Sequence, residues 1–285
     1  MLKSLDVLFV ATEVDPFVKT GSLSDLASNL PKMVKNLGHE IRVMLPGYGF
    51  INERRFHLHN LLRMKDIEIP VGNRLEQAYI KSSYLATDNK KVQVYFLSND
   101  HFFNRDGLYG HAETKASFPD NDERFIFFCR GILETLKRLG WQPKIIHCLD
   151  WQCGLIPVYL KTLYKDDPYF KNVRTIFTAY NIAAHSTFPK NVIEKAGLSV
   201  HDSAVVSENG KLNFLDIGMF YADAATTLGA RADKKLGGFQ DREPKPSAGK
   251  PKKQIISLTD FSQNGNKVDN LAEKFIELYR DLAKS

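Results

Sequence analysis

The fold is decided by residues 12–48, which read TEVDPFVKTGSLSDLASNLPKMVKNLGHEIRVMLPGY. The apolar run just before this stretch, residues 5–11, predicts a parallel strand that is buried on both faces. Apolar residues then recur at helical spacing over residues 23–37, and Gly38 marks the end of that helix. A second apolar run begins at Ile41. The order strand, helix, strand predicts a βαβ unit.

The connection between this strand and helix carries Lys19 and Gly21. It lies at the carboxyl end of the strand, the edge at which open α/β sheets bind ligands. A glycine beside a lysine allows backbone amides to approach a phosphate while the ammonium group pairs with its charge. The alternative is a surface lysine next to a turn glycine. Ser22 or Ser24 is expected to cap the helix.

Strand-like runs separated by helical patterns continue along the chain. Further strands are predicted at residues 77–82, 92–97, 145–148, 175–178 and 224–228, and helices at residues 122–139 and 154–163. This alternation predicts an α/β fold, a Rossmann-like and mostly parallel sheet with helices on both faces.

Residues 49–100 depart from the alternation. Closely spaced strands at residues 67–69, 77–82 and 92–97 predict a small β-rich insertion or an antiparallel edge, and residues 54–63 are compatible with a helix.

The carboxyl-terminal part differs in composition from the rest. Residues 229–253 contain eight basic and three acidic residues, which accounts for most of the net charge of +6. Their glycine and proline content predicts a flexible basic linker at 229–255 rather than a nucleic-acid site, since aromatic residues do not interleave with the charge. A helical segment at 256–285 follows. Its apolar stripe over residues 268–282 should dock on the domain or on another subunit.

The bulk composition indicates a soluble globular protein of 285 residues, 43% hydrophobic and 25% charged. We expect no signal peptide, because the first residues run directly into a predicted strand, and no membrane span, because no apolar run is long enough. The three cysteines, Cys129, Cys148 and Cys153, have no metal-binding spacing and are expected to be reduced. These features predict a cytoplasmic protein without membrane or nucleic-acid partners.

Five stretches together resemble bacterial glycogen synthases and plant starch synthases. They are the opening stretch, FNRDGLYG at 103–110 with FPDNDERFIFFCR at 118–130, IHCLDWQCGLIPVYLK at 146–161, TAYNIAAHSTFP at 178–189 and NFLDIGMFYADAATTL at 213–228. They occur in the family's order over about residues 5–228.

The resemblance implies a retaining α-1,4-glucosyltransferase that moves glucose from ADP-glucose or UDP-glucose to the end of an α-glucan. Such enzymes have the GT-B fold, two Rossmann-like domains facing each other across a cleft, and use neither a metal nor another cofactor. Residues 1–228 match the amino-terminal, acceptor-side domain.

The resemblance also implies roles for individual residues. Lys19 and Gly21 match the loop near the donor phosphates, and Tyr109 and Asp150 match residues near the sugar. Asp25 and Asn181 match the family's cleft residues, and Tyr180 stands at the position of another cleft residue. Each has an alternative explanation. Asp25 suits the first turn of a helix, Tyr109 could be a packing residue, and Asp150 could cap the helix that begins near Gly154.

Three departures from the family pattern bear on activity. Ser22 replaces the second glycine of the lysine-glycine loop, and Tyr180 replaces the cleft histidine that precedes the asparagine. After Leu228 the basic segment follows where the family continues into its second domain. We therefore expect a chain truncated before that domain, with no appreciable transferase activity by itself.

Three hypotheses for the function follow from the sequence. The first is a synthase half that is completed by a separate second-domain protein. The second is a non-catalytic glucan-binding or regulatory protein. The third is a single-domain enzyme with His147 or His185 as its base.

Overall fold

The computed structural model describes residues 4–180, 186–199, 210–228, 254–257 and 265–284. Within these ranges ten strands form one sheet: β1 (Asp6–Val10), β2 (Glu40–Pro46), β3 (His59–Asn60), β4 (Ile67–Val71), β5 (Arg74–Ala86), β6 (Lys91–Ser98), β7 (Ile145–Leu149), β8 (Arg174–Ala179), β11 (Ala224–Thr227) and β12 (Gln254–Ser257). Two short strands, β9 (Thr187–Phe188) and β10 (Leu212–Asn213), form a separate antiparallel pair.

The helices within the same ranges are α1 (Ser22–Asn36), α2 (Asp100–Phe103), α3 (Asn121–Leu139), α4 (Leu155–Lys161), α5 (Val192–Lys195), α6 (Phe214–Tyr221) and α7 (Gly265–Lys284). A 3₁₀ turn, Trp151–Cys153, precedes α4. No helix in the described part of the chain is long and apolar enough to cross a membrane.

The sheet is parallel over most of its width. Its strand order is β12-β11-β8-β7-β1-β2-β6-β5-β3, and β4 pairs with β5. Every pairing from β12 to β6 is parallel, whereas β5 pairs antiparallel with β3, β4 and β6. The predicted β-rich region at 49–100 therefore forms the antiparallel edge of the main sheet.

Helices cover both faces of the sheet, as predicted. Consecutive residues of β7 point to opposite faces. His147 contacts Tyr279 of α7, whereas the neighbouring Cys148 lies near Cys129 of α3. Helices α7 and α3 therefore lie on opposite faces. All three cysteines are free and buried, and burial raises the pKa of each thiol.

Residues 54–63, whose sequence is compatible with a helix, do not form one. The chain instead makes a series of turns, with His57 at a φ of 49°, before the short strand β3. The Ser83 hydroxyl donates to the Phe56 carbonyl at 2.6 Å, and His59 pairs with Ser82 of β5. Pairing with the long strand β5 therefore overrides the local helical pattern.

The carboxyl-terminal helix docks on the domain through its apolar stripe. This was one of the two predicted alternatives, the other being docking on another subunit. Leu271, Phe275, Leu278 and Tyr279 are buried, and α7 packs against α1 and β7. The sequence did not predict β12, which pairs with β11 and extends the sheet. The part of the predicted linker at residues 229–253 lies outside the described residues.

Candidate active site

The carboxyl edge of the parallel strands gathers most of the predicted site residues. Lys19, Gly21 and Asp25 follow β1, Asp150 follows β7, and Tyr180 follows β8. These strands are neighbours in the order β8-β7-β1, so their connections leave the sheet side by side. Asn181 and His185 lie outside the described residues.

The lysine-glycine loop is held in shape from within. Gly21 is the N-cap of α1 and has a φ of 144°, a conformation that favours glycine. The Ser24 hydroxyl accepts hydrogen bonds from the backbone N–H groups of Thr20 at 3.1 Å and Gly21 at 3.2 Å. Neither predicted serine is thus the N-cap residue, but Ser24 satisfies backbone donors from inside the first turn.

Charged groups of this loop remain accessible. The Lys19 side chain is 74% exposed, and its ammonium nitrogen lies 3.6 Å from a carboxylate oxygen of Asp15. Exposed pairs of this kind are weak, so a ligand anion can replace Asp15 at low cost. Asp25 lies half-buried in the first turn of α1, where the helix dipole favours an acid.

Glu13 is a buried carboxylate that connects the site's loops, and sequence reasoning assigned it no role. It accepts hydrogen bonds from the Tyr109 phenol and from the Thr20 hydroxyl, which belongs to the lysine-glycine loop. The Tyr109 oxygen also lies 2.8 Å from Thr12 Oγ1. The only sequence signal was the position of Glu13 just after β1.

Tyr109 faces Glu13 with its hydroxyl and packs with its ring. Its ring centroid lies 5.9 Å from the rings of both Phe125 and Trp151. Burial, followed by the negative charge of Glu13, raises the pKa of Tyr109 well above its ordinary value. The phenol is therefore protonated at neutral pH and acts as a hydrogen-bond donor.

Two residues of α3 hold the loop that carries Tyr109. Arg124 is fully buried and donates to the carbonyls of Phe102 and Leu108, each at 2.8 Å. Asn121 donates to the Tyr109 carbonyl at 2.7 Å. Sequence reasoning missed both, although a charged residue within the apolar run of α3 was a usable signal.

Asp150 adopts an unusual backbone conformation at the end of β7. Its φ of 65° and ψ of 174° lie in a region that residues other than glycine rarely occupy. The residue is 2% exposed, and its N–H donates to the Thr178 carbonyl of β8 at 2.8 Å. Its side chain makes no capping hydrogen bond to the 3₁₀ turn, so the alternative that Asp150 is a side-chain cap is wrong.

Tyr180 contacts the lysine-glycine loop. Its phenol shares a hydrogen bond with the hydroxyl of Ser22, the first residue of α1. This hydrogen bond connects Tyr180 to the loop that carries Lys19 and Gly21, so three of the seven predicted site residues lie close together.

His147 is a structural residue rather than a catalytic base. Its Nδ1 lies 2.7 Å from the Tyr279 hydroxyl and its Nε2 lies 2.7 Å from Thr178 Oγ1, which in turn lies 2.6 Å from Thr226 Oγ1. Burial lowers the pKa of His147 to about 3. A base that is buried and already bonded on both nitrogens has no access to substrate, so this form of the third hypothesis is wrong.

Comparison with known proteins identifies the family of this chain. Residues 6–233 match the family model of the starch synthase catalytic domain. Glycogen synthase of Chlorobium limicola is 38% identical over 240 residues, which cover 84% of this chain and 49% of the relative. That of Chlorobium luteolum is 40% identical over 225 residues, 79% of this chain and 46% of the relative. The chain spans about half the length of the curated relatives it matches.

A solved structure shares the fold. The catalytic domain of starch synthase IV from Arabidopsis thaliana, solved with ADP and acarbose bound, superposes with a TM-score of 0.70 at 21% identity. The match covers 90% of this chain and 52% of the plant domain. The parallel sheet, the strand-end loops and the family model agree, and the chain belongs to the starch synthase catalytic domain family.

Proposed function

We propose that this chain forms the acceptor-side half of a glycogen or starch synthase, which transfers glucose from ADP-glucose or UDP-glucose to the end of an α-1,4-glucan. The observation that carries the proposal is the family match over residues 6–233. The position of the predicted site residues along one edge of the sheet supports it.

The proposed roles follow the position of each residue. Lys19, exposed beside Gly21, is suited to pair with a donor phosphate. Tyr109 donates its proton to Glu13, and its oxygen is suited to accept a hydrogen bond from a sugar hydroxyl group, as is Asp150. We assign Asp25, Tyr180 and Asn181 to the same cleft because Asp25 and Asn181 match the family's cleft residues and Tyr180 occupies the position of the cleft histidine.

Transfer of glucose requires more than this edge provides. Negative charge develops on the departing nucleoside diphosphate, and both positive charge and exclusion of water are needed around it. We propose that a second domain, in the same polypeptide or in a partner protein, covers the edge and supplies these groups. The matched relatives are about twice as long as their match to this chain, which is compatible with such a domain.

The proposal extends to ligands and location. The plant neighbour was solved with ADP and acarbose, and we propose that an adenine nucleotide and an oligosaccharide bind the corresponding edge here. We place the protein in the cytoplasm, because its three cysteines are free and buried, as is usual in reducing compartments.

The test combines binding with complementation. Calorimetry should detect binding of maltoheptaose to the purified chain, and Asp150→Asn should weaken it because an amide replaces the carboxylate. Tyr84→Phe, an exposed position on β5, serves as the control. Incorporation of labelled glucose from ADP-glucose or UDP-glucose into glycogen should appear only after the second half of the Chlorobium limicola enzyme is added.

Two outcomes would contradict the proposal. Robust incorporation by the chain alone would show that no second half is needed. Glucan binding without incorporation in any mixture would instead point to a non-catalytic glucan-binding protein.

A further inference from the structure

Two departures from the family pattern, Ser22 and Tyr180, meet in the fold although 158 positions separate them in the chain. We propose that their side chains act as one unit, the Ser22–Tyr180 latch, which fixes the Lys19–Gly21 loop to the carboxyl end of β8. Tyr180 is then a positioning residue for Lys19. Each departure alone removes a group that the family has, whereas the two residues together make a connection across the site.

The latch needs both side chains. A glycine at position 22 has no hydroxyl group, and an imidazole at position 180 is shorter than a phenol. Ser22 begins α1 after β1, and Tyr180 is the first residue after β8. Since β7 lies between β1 and β8, the latch joins two connections on either side of the strand that Asp150 follows.

Three other hydrogen bonds of the loop connect it to α1 and to the end of β1, and not to β8. The Ser24 hydroxyl ties Thr20 and Gly21 to helix α1, and the Thr20 hydroxyl reaches Glu13 next to β1. These contacts hold the loop to its own strand and helix. The latch adds a contact to β8, two strands away.

The position of the Lys19 ammonium depends on this loop. The side chain is 74% exposed and its ammonium nitrogen lies 3.6 Å from a carboxylate oxygen of Asp15, so the loop backbone sets where the charge is available. The inference rests on the proposed function in taking a donor phosphate as the partner of Lys19. The latch would then set the distance between that phosphate and the sugar site at Asp150.

Amide hydrogen exchange at residues 19–24 tests the latch directly. Ser22→Ala and Tyr180→Phe each remove one hydroxyl, and each should raise exchange roughly two- to tenfold, the effect of one lost hydrogen bond. The double variant should show no further increase, because both changes break the same contact. Ser22→Thr keeps the hydroxyl and should exchange like the unaltered chain, as should Tyr84→Phe on β5.

The same variants separate positioning from a purely structural role. In the complemented reaction, the KM for ADP-glucose should rise by a similar factor in both single variants and the double variant, while Ser22→Thr restores it. Additive increases in exchange, or no increase in either single variant, would overturn the latch. Increased exchange with an unchanged KM would overturn the positioning role. If no mixture incorporates glucose, the proposed function fails, and the exchange pattern alone still decides the latch.

Discussion

Mild acid should destabilise the fold through His147. The imidazole is held uncharged between the Tyr279 hydroxyl and Thr178 Oγ1, and burial lowers its pKa to about 3. In the unfolded chain its pKa returns to about 6.5. Between these two values the unfolded chain binds a proton that the folded chain does not bind. The stabilisation is therefore complete above pH 6.5 and is lost as the pH falls toward 3.

The size of the effect follows from the two pKa values. Between pH 7.5 and pH 5.5 the free energy of unfolding should fall by about 1.4 kcal/mol on account of His147 alone. Urea unfolding at both pH values, followed by the fluorescence of the buried Trp151, measures it. His147→Gln should be less stable than the unaltered chain at pH 7.5, and the difference should shrink by about 1.4 kcal/mol at pH 5.5.

A matched control removes a histidine from the surface. His59→Gln, on the exposed strand β3, should change stability little at either pH. A difference between His147→Gln and the unaltered chain that stays constant with pH would refute the assignment of a low pKa to His147.

Three further predictions concern the backbone and the core. Asp150→Gly should be more stable than Asp150→Ala by about 1–3 kcal/mol in urea unfolding, because glycine adopts this φ and ψ without strain whereas alanine does not, and equal stability would show that the conformation carries no strain. Gly21→Ala should lower stability in urea unfolding by about 1 kcal/mol because of the φ of 144°, with Asn29→Ala, at an exposed position of the same helix, as its comparison. Phe275→Ala should lower the free energy of unfolding by about 3–5 kcal/mol, measured in thermal or urea unfolding, because this ring on α7 is fully buried. Alanine at Leu282, which is only partly buried, should cost less.

Much of the fold could be predicted from local pattern. The strands β1, β2, β7 and β8 are buried on both faces, so their residues form short apolar runs that the sequence displays directly. The apolar stripe of α7 could likewise be recognised in the sequence. Leu37, counted with the stripe of α1, is instead half exposed because the helix ends at Asn36.

Contacts between distant residues could not be predicted in this way. Glu13 meets Tyr109, and Ser22 meets Tyr180, only because parallel strands bring their connections to one edge. The strand β12 exists through its pairing with β11, and residues 54–63 turn to pair with β5 instead of forming a helix. Such pairings depend on the tertiary structure and leave no local signature.

The docking of α7 has a consequence for synthesis of the protein on the ribosome. Residues 265–284 are made last among the described residues, yet they cover β7, whose strand is complete by residue 149. Until Tyr279 has left the exit tunnel, the apolar surface around His147 faces water in the nascent chain. We expect this face to be a binding surface for chaperones during translation, and ribosome-bound chains stopped before residue 265 to be captured more strongly than chains that include α7.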